Sequence, residues 1–337
     1  MGTQKWVDLS SLHYYTSSVN KIPVGVLGAS GYAGRELCAL INRHPRLQLA
    51  FATANEQRGA SVRLGGRDVT YVAAEDTPLS SAALVFSALP HGTSRSWVQA
   101  ARDAGARVVD LSSDLRPGNG CDGVPYGLTE LVRGHLNDAD VVANPGCYPT
   151  SVLLALAPAV AAGLVAAGST IHVNSASGVT GAGNSPKREL LFAEIADDFR
   201  AYGVGNTHRH LAEMRATLSK WGADADLAFT PHLLPVARGI LSTITVELAR
   251  DVDDATSAWR DAFANEPFLE LCDQPPALRD VVHRNAVRVH VRRLEHVRRP
   301  TLLILSAIDN LMKGAAGQAV QNANVMLGIP ETDGLPA

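Results

Sequence analysis

Ile22-Pro23-Val24-Gly25-Val26-Leu27-Gly28-Ala29-Ser30-Gly31-Tyr32-Ala33-Gly34 is the stretch that decides the fold. Its first six residues form a short apolar run, the pattern of a buried strand, and a helical pattern follows over 35–43. Strand, glycine-rich turn and helix together are the context in which a dinucleotide fingerprint has meaning. Glycines allow the tight turn and let backbone N–H groups approach a pyrophosphate at the helix N-terminus. On that reading Gly28, Ser30, Gly31, Tyr32, Ala33 and Gly34 bind the cofactor. The spacing is GxxGxxG rather than GxGxxG, and a plain tight βα turn stands as the alternative.

Strands are predicted outward from this stretch at 47–54, 83–88, 107–111 and 141–143, with a helix at 94–104. Strands and helices alternating at these lengths argue a parallel, doubly wound α/β sheet. Ligands in such sheets bind beyond the carboxyl ends of the strands, so the loops at 28–34, 89–92 and 112–116 are expected to share one edge. Sites that prefer NAD carry an acid at the end of the second strand. Here that end reads Thr53-Ala54-Asn55-Glu56-Gln57-Arg58, and Arg58 favours the 2′-phosphate of NADP.

Asn144-Pro145-Gly146-Cys147-Tyr148-Pro149-Thr150 arrives at the same edge, followed by an apolar segment over 151–162 that reads as a buried helix. Pro149 suits a first helical position. Cys147 is then expected just ahead of the helix N-terminus, where free N–H groups and the dipole stabilise a thiolate. A cysteine nucleophile and a small buried apolar residue are the competing readings.

After Gly168 the pattern changes. Strands are predicted at 170–177, 228–230, 240–248, 287–291 and 301–308, with a helix near 254–264, giving an α+β part with a mixed or antiparallel sheet. The loop 177–183 is flexible enough to meet a ligand, and 231–239 reads as a rigid loop entering a strand. His208-Arg209-His210 opens a helix that runs to Leu218; residues two apart on a helix diverge, so one histidine is expected at a cleft and the other elsewhere. A base for Cys147, a metal pair and surface histidines compete, and the metal pair lacks further ligands nearby. Arg238 suits a carboxylate or phosphate, or is a surface residue. The tail from Asp309 opens a small-residue helix that returns to cover the first part.

The totals exclude several classes. The 337 residues are 46% apolar and 19% charged with a net charge of −3, so nothing predicts a nucleic-acid or anionic-membrane partner. Four cysteines without zinc spacing suit reduced thiols and a cytoplasmic location. No signal peptide is visible, and the apolar run 152–167 is too short and interrupted for a membrane span. No GxxxxGK[ST] is present, which excludes a Walker A site. The organisation read here is an N-terminal extension (1–21), a dinucleotide-binding domain (22–147 with 311–337) and an α+β catalytic and substrate domain (148–310).

The glycine turn, Ala88-Leu89-Pro90-His91-Gly92, the cysteine motif, His208-Arg209-His210, Arg238-Gly239-Ile240 and Asp309-Asn310-Leu311-Met312-Lys313-Gly314 together resemble the N-acetyl-γ-glutamyl-phosphate reductase family of arginine biosynthesis, which groups with the aspartate-semialdehyde dehydrogenases. The resemblance runs from about residue 22 to the C-terminus; the cysteine motif is specific, while the glycine turn is shared with related dehydrogenases. It implies a Rossmann-type domain plus a substrate and dimerisation domain, NADPH as reductant, N-acetyl-γ-glutamyl phosphate as substrate, no metal and a homo-oligomer, dimer or tetramer. It makes Cys147 the nucleophile, His210 the acid–base and His208 a substrate contact, and it builds the cofactor cleft from the glycine turn, Leu89, Pro90, Ser177, Gly178 and Asn310. Arg116, Arg209 and Arg238 are candidates for the substrate's carboxylate and phosphate. The family's HxHxPEI reads here with Ala212 in place of proline, which is expected to loosen the helix start. A sister acyl-phosphate reductase, acting on aspartyl or carrier-bound substrates, and a non-catalytic dinucleotide sensor are the rival readings.

Overall fold

The computed structural model describes residues 20–121 and 123–337; all but the last two residues of the expected extension lie outside them. The chain begins β1 (Ile22–Leu27), α1 (Tyr32–Arg43), β2 (Leu47–Ala52), a hairpin of β3 (Ser61–Leu64) and β4 (Arg67–Thr70), β5 (Leu84–Ser87), α2 (Ser94–Asp103), β6 (Arg107–Asp110), α3 (Thr129–Leu136), β7 (Val141–Ala143) and α4 (Cys147–Ala161). Five of these strands form a parallel sheet in the order β2-β1-β5-β6-β7. β5, Leu84-Val85-Phe86-Ser87, is buried at every residue, as expected of a strand covered on both faces. The strand order reverses at β1, with β2 on one side and β5 on the other. A crevice therefore opens beyond the ends of β1 and β5, where such sheets take ligands.

The second part contains β8 (Ser169–Gly178), α5 (Phe192–Ile195), β9 (Arg200–Ala201), α6 (His210–Lys220), β10 (Ala225–Leu234), β11 (Ile240–Glu247), α7 (Ser257–Phe263), β12 (Leu269–Leu271), β13 (Val287–Arg293) and β14 (Thr301–Ile308). Seven strands build a mixed sheet in the order β12-β13-β14-β11-β8-β10-β9, with β8 and β10 parallel and β11 antiparallel to β8. Residues 231–234, expected in a loop, continue β10. Pro231 is tolerated because β10 lies next to the sheet edge, and on its outer side only the two-residue β9 flanks it.

α4 joins the two sheets, begins earlier than the expected 151 and ends within one residue of the expected 162. It starts at Cys147, with Pro149 in its third position, and it runs through Pro158 to Ala161. Pro158 removes only the amide that would bond the Leu154 carbonyl, a tolerable loss in a last turn. Gly163, at φ 62°, is what ends the helix. The helix seats closely on the seven-stranded sheet because small hydroxyl residues face each other there: Ser151 Oγ meets Ser242 Oγ at 2.9 Å and donates to Ser306 Oγ at 3.1 Å, and Ser175 Oγ meets Ser242 Oγ at 2.8 Å.

After β14 the chain makes a π-turn, Met312–Ala316, and enters α8 (Gly317–Met326), which packs against α1 and α3 of the first part. The small residues of the tail predict that return. Its seal is polar as well: Gln318 Nε2 donates to the Gly127 carbonyl at 2.9 Å and Asn322 Nδ2 to Asn144 Oδ1 at 3.0 Å. Among the described residues no helix is long and apolar enough to cross a membrane.

Candidate active site

The crevice at the strand reversal is a cleft of about 480 Å³. Its lining includes the glycine turn from Gly28 to Gly34, Leu89, Pro90, Cys147 and Asn310. The turn is pinned at the tip of β2, where Gly28 N donates to Thr53 Oγ1 at 3.2 Å and Ala29 N to the Thr53 carbonyl at 2.7 Å. Gly31 is the N-cap of α1, no side chain caps it, and no acidic residue stands in the first turn. An uncapped helix N-terminus facing a cleft offers its first amides to an anion. The residues present therefore fit the pyrophosphate of a dinucleotide. Asn184 Nδ2 donates to the Ser30 carbonyl at 3.1 Å, drawing the loop after β8 across the cleft.

Cys147 occupies the first turn of α4 and is half-buried. It is held between two glycines. A Cβ at Gly146 would stand 2.7 Å from His210 Nε2 and 2.8 Å from both Arg116 Nη1 and Glu213 Oε1. A Cβ at Gly314 would stand 2.9 Å from the Cβ of Cys147. Both positions are below the approach that real Cβ atoms make, so only glycine brings these groups together. Burial pushes the Cys147 thiol up from its ordinary value of 9.0, against the pull of Arg209, Arg116 and the Tyr148 amide. Burial outweighs the first-turn amide of α4, contrary to the expectation of a stabilised thiolate.

A second cleft of about 280 Å³ opens on the other side of Cys147. Tyr148, Tyr202, His208 and Leu233 line it, and it shares Cys147, Lys187, Arg209 and His210 with the first. The two histidines do not diverge. α6 begins at His210, so His208 lies ahead of the helix; its Nδ1 accepts from His210 N at 3.2 Å and the rings meet edge to face at 4.8 Å. The helix starts at His210 even with Ala212 in place of proline. His210 is only 4% exposed, its Nδ1 has no hydrogen-bond partner, and burial, then Arg116, holds its imidazole well below the usual value. An imidazole held neutral in this way is able to accept a proton. Burial, then Arg209, lowers His208 to about 4.

The expected arginines separate sharply. Arg238 is taken up by Glu36 and by Asp309, at 3.3 Å, and lines neither cleft. Arg116 lines the cofactor cleft but is structural: its Nε donates to the Asn144 carbonyl at 2.8 Å, Nη1 to Glu213 Oε1 at 3.0 Å and Nη2 to the Leu111 carbonyl at 2.7 Å. Arg209 alone of the three lines both clefts with no hydrogen bond or ion pair to another described residue. Arg58 is exposed and outside the cleft lining. Ser177 and Gly178, expected at the cofactor, line the second cleft instead, because β8 carries them past Cys147. Asn310 acts on the loop that borders the cleft, with Oδ1 accepting from Gly239 N at 2.8 Å and Nδ2 donating to Thr180 Oγ1 at 2.9 Å.

Two participants escape the sequence reading. Lys187 lines both clefts, yet it sits in an irregular loop with no motif around it. Glu213 is 2% exposed and gathers Arg116, the Tyr126 hydroxyl at 2.7 Å and the Gly146 amide at 3.3 Å. Its place three residues beyond His210, on the same helix face, is the signal that points to it. A third, apolar hollow of about 380 Å³ lies behind α4, among Leu131, Trp221 and Phe263, and includes no residue of the Cys147 site. Among the described residues no group of three or more His, Cys, Asp or Glu could hold a metal ion.

Residues 23–139 match the family model described as semialdehyde dehydrogenase, NAD binding domain, and residues 147–310 match semialdehyde dehydrogenase, dimerisation domain. The chain is 40% identical over 339 residues to the N-acetyl-gamma-glutamyl-phosphate reductase of Halorhodospira halophila, covering 93% of this chain and 98% of that one. It is 39% identical over 352 residues to the protein of that name from Rhodopirellula baltica, covering 94% and 99%. Its fold is similar to that of aspartate semialdehyde dehydrogenase II from Vibrio cholerae, with a TM-score of 0.77 at 22% identity over 92% of this chain and 99% of that one. The sealed cysteine turn, the uncapped glycine turn and these full-length likenesses agree, and the chain belongs to the N-acetyl-γ-glutamyl-phosphate reductase family.

Proposed function

We propose that this protein reduces N-acetyl-γ-glutamyl phosphate to N-acetylglutamate 5-semialdehyde with NADPH, releasing phosphate, as a cytoplasmic step of arginine synthesis. The observation that carries the reading is the position of Cys147, where a dinucleotide-shaped cleft and a smaller cationic cleft meet. A reaction that passes an acyl group between a phosphate and a hydride donor needs its nucleophile at such a junction.

The residues act in sequence. Substrate binds in the second cleft, its phosphate and carboxylate met by Arg209 and Lys187, whose cations no carboxylate of the described residues claims. Cys147 sulfur attacks the acyl carbon while neutral His210 takes the thiol proton; the C–O bond to phosphate breaks and a thioester remains. Keeping the thiol protonated until then fits the upward push on Cys147. First-turn amides of α4 steady the carbonyl oxygen as it gains charge. The dinucleotide, when bound, supplies the hydride that the thioester carbon accepts. His210 returns its proton as the C–S bond breaks, leaving aldehyde and free thiol. His208 packs between His210 and Tyr202 and orients both.

In this reading 22–147 with 311–337 hold the cofactor and 148–310 carry the substrate and self-association surfaces. Leu241, Leu303 and Leu305 on the seven-stranded sheet stay half-exposed, which suits a dimer or tetramer. The test is phosphate-dependent reduction of NADP by purified protein with N-acetylglutamate semialdehyde, beside aspartate semialdehyde. Turnover on the acetylated aldehyde is expected. Turnover on aspartate semialdehyde alone would replace the substrate, and turnover on neither would overturn the reading.

A further inference from the structure

The returning C-terminal segment passes beside Cys147 at the π-turn Met312–Ala316. Its bonds reach back five residues: Gly314 N donates to the Asp309 carbonyl at 2.9 Å and Ala316 N to the Leu311 carbonyl at 2.8 Å. Such a turn inserts one residue into a helix, changes the direction of the side chains around it, and is frequent at functional sites. Three consecutive residues here face three different environments. Lys313 is 0% exposed and reaches Glu130 Oε1 and Gln321 Oε1, the latter at 2.7 Å. Gly314 lies beside Cys147, so near that an added Cβ would stand 2.9 Å from the Cys147 Cβ. Ala315 lines the cofactor cleft, and its carbonyl accepts from Asn144 Nδ2 at 3.2 Å. At the other end Asp309 Oδ1 accepts from Leu311 N at 2.8 Å and Met312 N at 3.1 Å.

A buried ion pair is a poor stabilising device, since desolvation offsets most of its attraction and apolar residues of similar volume often do as well. This one lies 0% and 1% exposed, one residue from the contact with Cys147. We propose that the Lys313–Glu130 pair is a positioning lock. It fixes the rotation of the π-turn, the turn places the Gly314 backbone as a wall, and the wall holds the Cys147 side chain in one orientation toward the substrate cleft. Lys313 touches neither sulfur nor substrate; it acts through Gly314. The inference rests on Cys147 being the nucleophile.

The test removes the pair without leaving a bare charge: Lys313→Met together with Glu130→Leu in the full chain. Expected are a melting temperature close to that of the parent, unchanged NADPH binding, a kcat lowered about 10²-fold, the size of effect that an ångström of misplacement produces, and a changed pH profile for iodoacetamide labelling of Cys147. Parent kcat and parent labelling profile in the double variant would overturn the lock. Should the double variant not accumulate, Glu130→Asp retains both charges and draws Lys313 toward α3. Lowered kcat at unchanged KM and melting temperature supports the lock, and unchanged kcat overturns it. Labelling needs no substrate. If the parent itself reduces none of the aldehydes, the proposed reaction fails while the labelling profile still decides the lock.

Discussion

α1 and α4 start at the same edge of the parallel sheet, each behind a glycine with almost the same backbone: Gly31 at φ −68°, ψ 163° and Gly146 at φ −71°, ψ 159°. Neither helix has a side-chain cap. One turn is nonetheless open and the other sealed. An added Cβ at Gly31 meets only the Gly28 carbonyl, at 3.6 Å, whereas at Gly146 it meets His210, Arg116 and Glu213 within 2.8 Å. Local sequence makes two equivalent helix starts, and tertiary packing gives them different chemistry. The open one offers amides to a visiting anion. The sealed one holds a thiol at a raised value against a neutral imidazole.

The hardest break of this contrast is at the sealed turn. Cys147→Ser is expected to reduce turnover to background while NADPH binding, followed by its fluorescence, stays at the parent level. Loss of binding together with activity would mean that the two turns are one functional unit. His210→Asn should cost about 10²–10⁴-fold in kcat, the usual worth of a proton-transfer group, and His208→Asn less. A reversed ranking would exchange their roles.

Gly146→Ala and Gly31→Ala set the two turns side by side. The first drives a methyl into the His210–Arg116–Glu213 cluster and should lower kcat by about 10²-fold. The second finds room and should raise only the KM for the dinucleotide. Steady-state kinetics on both variants decides; equal losses in kcat would show that the open turn is no more tolerant than the sealed one.

The charge state of the sulfur sharpens the comparison further. Because burial raises Cys147 above its ordinary value of 9.0, its thiolate fraction stays below that of a free thiol between pH 7 and 9. Alkylation of the resting protein should therefore climb by about tenfold per pH unit across that range. A plateau already reached near pH 7 would show that the helix N-terminus prevails over burial.

The fold and the cysteine turn were legible because they rest on near neighbours in the chain. The strand-turn-helix at 22–43 and the cysteine motif each occupy one short stretch, and glycine and proline mark their turns. What was not legible depends on distant partners. Arg116 and Arg238 look like anion ligands until Glu213, Glu36 and Asp309 are brought to them across 97, 202 and 71 residues. Lys187 is unmarked in its loop and becomes a candidate only when two clefts meet over it. The histidine pair departs from the local rule because the helix begins at His210, two residues later than the pattern predicts, so the divergence of positions two apart on a helix never arises.

The smallest expected effect tests the far end of the open turn. β2 ends at Ala52, Thr53 just beyond it bonds Gly28, and no acid stands at 53–55 to claim ribose hydroxyls. Arg58 lies five residues on, exposed, with no hydrogen bond or ion pair to another described residue. A solvent-facing cation paired with a 2′-phosphate gains little, since exposed ion pairs are worth roughly 0.2–1 kcal/mol. Arg58→Ala should then raise the KM for NADPH a few-fold at about that worth and leave the KM for NADH unchanged, with kcat unaffected. The effect should shrink as salt is added, because an exposed pair is screened within about 8 Å at physiological ionic strength. Equal changes for both dinucleotides would remove Arg58 from cofactor choice and assign the preference to the absence of an acid at the tip of β2.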